Sequence, residues 1–116
     1  MTVLTVLAVL VAAVFLLIGA AKLFALAPMR ERAAHAGFSV TAYRGIGALE
    51  IAGAAGLLLG LTVPVLGALA GAGLLLLLAG AVITHVRNRD GVRDLTPAVV
   101  CAVCVAGYLV ALGVSP

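Results

Sequence analysis

Apolar residues dominate the chain in four long runs, and the polar positions between them are short and clustered. Residues 3–21 carry no charge at all. That length spans a hydrocarbon core of roughly 30 Å at about 1.5 Å per residue. Lys22 closes the run, and residues 23–27 add a further turn, so the first helix is expected over about 3–27. A cleaved signal peptide would need a basic segment ahead of a shorter apolar stretch, and no Lys or Arg precedes this one. Pro28 and Gly37 then bracket Arg30, Glu31, Arg32 and His35, which predicts a short interfacial helix over about 28–36. A second span is expected over about 41–61, with Ser39 or Thr41 as its cap and Tyr43 and Arg44 near the headgroups. A very short turn ends at Pro64. The third span covers about 65–84, with Gly67 and Gly71 at GxxxG spacing. A polar loop follows, and Pro97 opens the fourth span, which runs to about 113. The pattern predicts an all-α, integral-membrane, antiparallel up-down four-helix bundle forming a single domain over 1–116.

Composition agrees. Of the 116 residues, 66% are hydrophobic and 9% are charged, against about a quarter charged in soluble domains. The net charge of +3 does not point to nucleic acid, because the basic residues lie in short loops between apolar runs. All seven Lys and Arg fall on one side of this topology: Lys22, Arg30, Arg32 and Arg44 around the first connection, and Arg87, Arg89 and Arg93 in the third. The positive-inside rule then puts both termini outside and both long loops in the cytoplasm of a multi-pass plasma-membrane protein. Trp is absent, so any aromatic belt rests on Tyr43, Tyr108 and three Phe.

Glu50 interrupts the second span. A carboxylate in lipid is costly, about 2.5–3.5 kcal/mol on insertion scales, so it needs a partner. Its neighbours at three- and four-residue spacing are Ile46, Gly47, Gly53 and Ala54. Three of them are small, and another helix can approach this face closely. Antiparallel packing places Lys22, Glu50, His85, Cys101 and Cys104 in the same inner half of the bundle, and Gly19 and Gly47 let the first two spans close. Lys22, Glu50 and His85 form the candidate polar cluster, and Lys22 and Glu50 are expected to meet. Two readings stay open: a structural ion pair, or a direct part in binding or proton handling. His85 and, more so, His35 also fit ordinary interfacial positions, His85 at a helix C-terminus where the dipole favours a cation. The CxxC of Cys101 and Cys104 has the spacing of a redox motif, but its Val/Ala surroundings and a reducing inner face favour packing. No metal-site motif, P-loop, GxSxG or HExxH is present, and no pair of transmembrane histidines suggests haem ligation.

Gly19-Ala20-Ala21-Lys22-Leu23, the linker ending His35-Ala36-Gly37-Phe38, the stretch from Gly47 through Glu50 to Gly60 with its repeated glycines, and Ala81 with His85 together resemble the DoxX-like family of small four-helix membrane proteins. The resemblance covers nearly the whole chain. It implies a four-helix membrane fold and a loose association with redox systems, and at most a non-autonomous membrane subunit of an oxidoreductase. The chain carries no nicotinamide or flavin motif. On this reading a quinone contacts the Lys22/Glu50/His85 region, and a soluble cytoplasmic redox protein docks on Arg30, Arg32, Arg87, Arg89 and Arg93. The bilayer is the other partner, and a homo-oligomer is compatible with the pattern. A small proton-coupled transporter working through Glu50 is a second hypothesis, although small multidrug transporters of this length carry their acid in the first helix. A membrane enzyme acting on a lipophilic substrate, with Glu50 as acid or base, is a third.

Overall fold

A computed structural model describes residues 2–114. Five helices follow one another: α1 (Val3–Leu23), α2 (Ala27–Ala36), α3 (Val40–Leu59), α4 (Pro64–Arg87) and α5 (Val92–Val114). There are no strands among the described residues. All but α2 are long and apolar enough to cross a membrane. These four form a closed ring: α1 packs on α3 and α5, and α4 packs on the same two helices from the other side. The short α2 lies against α1 and α3.

Local chemistry sets the helix starts. The Thr2 hydroxyl accepts from the Thr5 backbone N–H, and the Ser39 hydroxyl accepts from that of Ala42 at 3.0 Å. Each satisfies one of the orphan donors of a helix N-terminus. Ser39 is therefore the cap of α3, and Thr41 lies inside the helix. Pro64 sits in the first turn of α4 and Pro28 in that of α2, where a missing N–H costs nothing.

The ends differ from the sequence pattern at three places. Helix α1 stops at Leu23 rather than continuing to residue 27. Ala25 takes a left-handed conformation (φ 50°), and Leu26 N–H closes back onto Ala21 O at 3.1 Å. This is a Schellman stop built on alanine, so no glycine announces it. Arg30 and Arg44 reinforce it by donating Nε–H to Ala25 O (2.9 Å) and Leu23 O (2.8 Å). Helix α4 runs past residue 84 to Arg87 and ends in the same way, with Arg89 at φ 55° and Asp90 N–H bonded to His85 O at 2.9 Å. Helix α5 begins at Val92, so that Pro97 lies inside it rather than opening it. Proline there removes the donor for Arg93 O, and Arg93 is exposed, so water can replace that donor.

The core joins Ala8, Val11, Ala12 and Phe15 of α1 to Ala54 and Leu57 of α3, Leu74 and Leu78 of α4, and Ala98, Val105 and Tyr108 of α5. Large Leu and Val side chains such as Leu17, Leu69, Leu76 and Val103 stay on the outside, as they should where the surroundings are lipid. Small residues carry the closest helix contacts instead. A methyl group on Gly56 would meet the Cβ of Ala70 at 2.5 Å.

Tyr108 is not part of an aromatic belt. It is fully buried, and its hydroxyl donates to Leu57 O at 2.8 Å. The Gly60 and Leu61 N–H groups turn to Gly56 and Leu58, which leaves that carbonyl without a helical donor. Tyr108 thus caps the C-terminal end of α3 from α5. Its ring fits because Gly60 and Gly67 lie beside the hydroxyl, where any Cβ would collide with it. Tyr108→Phe is expected to cost about 1–3 kcal/mol by stranding a buried acceptor, read as a shift in thermal unfolding in detergent.

Candidate functional site

The crossing of α1 over α3 places the first part of the site. A Cβ on Gly19 would lie 2.8 Å from Gly47 O, and one on Gly47 would lie 2.6 Å from Gly19 O. The two backbones touch because neither carries a side chain there. One turn further along each helix, Lys22 Nζ donates to Glu50 Oε1 at 2.7 Å. Glu50 is the one buried charged residue among those described. The ammonium of Lys22 also lies 4.9 Å from the ring centroid of Tyr43, within cation–π range, and Phe38 packs beside that ring. Glu50 Oε2 carries no hydrogen bond, yet no polar side-chain atom among the described residues is both buried and unpaired. Oε2 therefore opens onto free space.

That space is a cleft of about 1050 Å³ at the loop end of the bundle. Phe15, Ile18, Leu77 and Leu78 form its apolar wall, Lys22 and Glu50 lie on one side, and α2 contributes Pro28, Glu31, Arg32 and His35. It is as large as ligand pockets usually are, about 300–1,000 Å³.

The second polar group on the cleft was not legible as a unit in the sequence. His85 Nδ1 lies 2.7 Å from Asp90 Oδ2, and His35 Nε2 lies 2.8 Å from Asp90 Oδ1. Asn88 Nδ2 donates to His35 O at 3.2 Å, tying α2 to the α4–α5 turn. The sequence pattern groups His85 with Lys22 and Glu50. The structure gives His85 a direct partner in Asp90 instead, while all three grouped residues border the same cleft. His35 and Asp90 are the residues that the sequence pattern does not place in the cluster. The turn carries the explanation: the Schellman stop at Arg89 folds Asp90 back onto His85, five positions earlier, and a left-handed arginine gives no warning of it.

The two imidazoles, His85 first, hold the Asp90 carboxyl below the usual carboxylate range. An ionised carboxylate can only accept hydrogen bonds, so both nitrogens that face it carry hydrogen. Asp90 consequently contributes stability that is present above its ordinary value of about 3.9 and is lost as pH falls through the lower folded-state value. The expected result is an acid-unfolding profile that is shallower below about pH 4 in Asp90→Asn than in the native chain, measured by circular dichroism.

Cys101 and Cys104 are free thiols one turn apart on α5, both packed against the core, and Cys101 reaches the cleft. Of the basic residues, Arg32 and Arg93 border the cleft, Arg87 and Arg89 are exposed, and Arg30 caps α1. Among the described residues, no group of His, Cys, Asp and Glu is arranged to hold a metal ion.

No curated protein and no solved structure matches the chain. A family model does: it is described as the DoxX-like family and matches residues 6–107, which include both polar groups of the cleft and nearly all of the four spans. With four apolar helices of membrane-crossing length and a match over most of its sequence, this multi-pass membrane protein belongs to the DoxX-like family.

Proposed function

We propose that the chain is a membrane subunit of a redox system in the plasma membrane, and that its cleft receives a quinone-class molecule. The cleft carries this reading. Its apolar wall of Phe15, Ile18, Leu77 and Leu78 suits a lipophilic ring and tail, and Lys22 offers an ammonium to a ring carbonyl. Few convergent polar groups on a largely apolar wall are the usual makeup of such sites, and intramembrane ionisable residues mark functional positions by default. Glu50 holds Lys22 in place and stops it from snorkelling away to the interface.

The one-sided Lys and Arg distribution supports an orientation with both termini outside and the cleft on the cytoplasmic side. A soluble redox protein then docks on Arg32, Arg87, Arg89 and Arg93 around the cleft mouth. Purification in mild detergent, followed by solvent extraction and mass spectrometry, tests the reading. A quinone at near-stoichiometric amount in the native chain, reduced at least about tenfold in Lys22→Met, is the expected result. Flux of an unrelated solute through reconstituted vesicles, with no quinone recovered, would favour a transporter. A reporter active only in the cytoplasm should be silent at either terminus, and activity at one end would reverse the orientation.

A further inference from the structure

Resting on the reading of the cleft as a site for a lipophilic ring, we infer that it takes the hydroxyl-bearing form of that ring, a hydroquinone or phenol, and that His85 Nε2 accepts the hydroxyl proton. The geometry makes the assignment. Asp90 occupies His85 Nδ1 at 2.7 Å and, being ionised, requires hydrogen on that nitrogen. The neutral ring then has its lone pair on Nε2, for which there is no partner among the described residues. His85 lines the cleft. A carboxylate that fixes an imidazole tautomer and stabilises the imidazolium formed on proton uptake is a recurring device of general-base sites. Asp90 is the positioning residue. It is itself held from the other side by His35 at 2.8 Å and by the Arg89 turn.

In the step, the ligand O–H bond breaks and its electron pair stays on oxygen. The proton goes to Nε2, and nothing is oxidised or reduced. The other charges on the cleft come from every surrounding element: Lys22 of α1 with Glu50 of α3, Glu31 and Arg32 of α2, Arg93 and Asp94 of α5. They include three of each sign, so Asp90 is the charge left over, and its field alone would disfavour an anion beside it. The tautomer effect and the simple charge effect therefore have opposite signs.

A nitrophenol bearing an alkyl chain tests this, because its yellow phenolate reports its own ionisation. With the native chain in detergent, the bound probe should show a phenolate-to-phenol ratio at least about tenfold above that in empty micelles at the same pH, without net proton release in weakly buffered solution. Asp90→Asn should keep the probe bound and lose the phenolate, since an asparagine amide can donate to Nδ1 and turn His85 to the other tautomer. Asp90→Glu should restore part of the signal, and His85→Gln should abolish it. Thermal unfolding of each variant confirms a folded sample. More phenolate in Asp90→Asn than in the native chain would mean that only the charge effect operates and would overturn the proposal, as would unchanged phenolate in His85→Gln. A probe that binds without ionising in the native chain overturns the proposal while the cleft stands as a ring site. A probe that does not bind the native chain at all removes both.

Discussion

Lys22→Met is expected to destabilise the protein by about 3–5 kcal/mol, and to do so far less when Glu50→Gln is already present. Removing one member of a buried pair leaves an uncompensated charge, whereas replacing both can be close to neutral. The geometry makes the pair asymmetric. The Glu50 side chain is 6% exposed and that of Lys22 14%, and Lys22 retains the Tyr43 ring after its carboxylate is gone. Glu50→Gln alone should therefore cost less than Lys22→Met alone. A double-mutant cycle in detergent unfolding reads the coupling directly, and the interaction energy for groups in contact is about 0.5–3 kcal/mol. Simple additivity would show that the 2.7 Å contact has no energetic weight. Quinone content of the same samples separates the two roles that remain open for the pair. A stable double mutant that recovers no quinone makes the pair a binding element, and one that recovers it normally makes the pair a structural one.

Gly47→Ala is expected to be strongly damaging for a change of a single methyl group. The added Cβ would lie 2.6 Å from Gly19 O, 2.7 Å from Lys22 Cβ and 2.9 Å from Leu23 N. Two of those atoms are backbone, so no side-chain rotation relieves the clash, and α1 must move away from α3. Overpacking of this kind costs about 1–3 kcal/mol. Because the displaced segment includes Lys22, the ion pair stretches as well, and quinone content should fall with stability. Gly45→Ala, two residues away on the same helix, meets nothing within 4 Å. It should be neutral or slightly stabilising through helix propensity, and thermal unfolding of the two variants side by side checks both expectations. Equal effects would mean that the crossing is not at Gly19 and Gly47.

Both predictions concern a contact that is legible in the order of residues along the chain. A lone carboxylate in an apolar run must find a cation. Lys22 is the cation at matching depth, and the small residues one turn from each show which faces can meet. The four spans are legible for a similar reason. An apolar run this long can satisfy its backbone within itself in lipid only as a helix, and no tertiary information is needed to infer it. The cap at Ser39 and the first-turn proline at Pro64 belong to the same class, since each acts on backbone groups within one turn.

Tertiary structure decided what depended on backbone reversals without a residue signature. Ala25 and Arg89 both adopt left-handed conformations that glycine would have advertised, and chirality makes them uncommon for other residues. These turns end α1 four residues earlier than the apolar pattern suggests and fold Asp90 onto His85. The closed ring of helices then brings Tyr108 to a carboxy-terminal carbonyl on α3, although the two positions are 51 residues apart in sequence. It also brings His35 to Asp90 across 55 residues. Charge, length and hydropathy act locally and are written in order along the chain. The pairing of two histidines on one carboxylate depends on where three helix ends stop, and that is settled only when the helices pack.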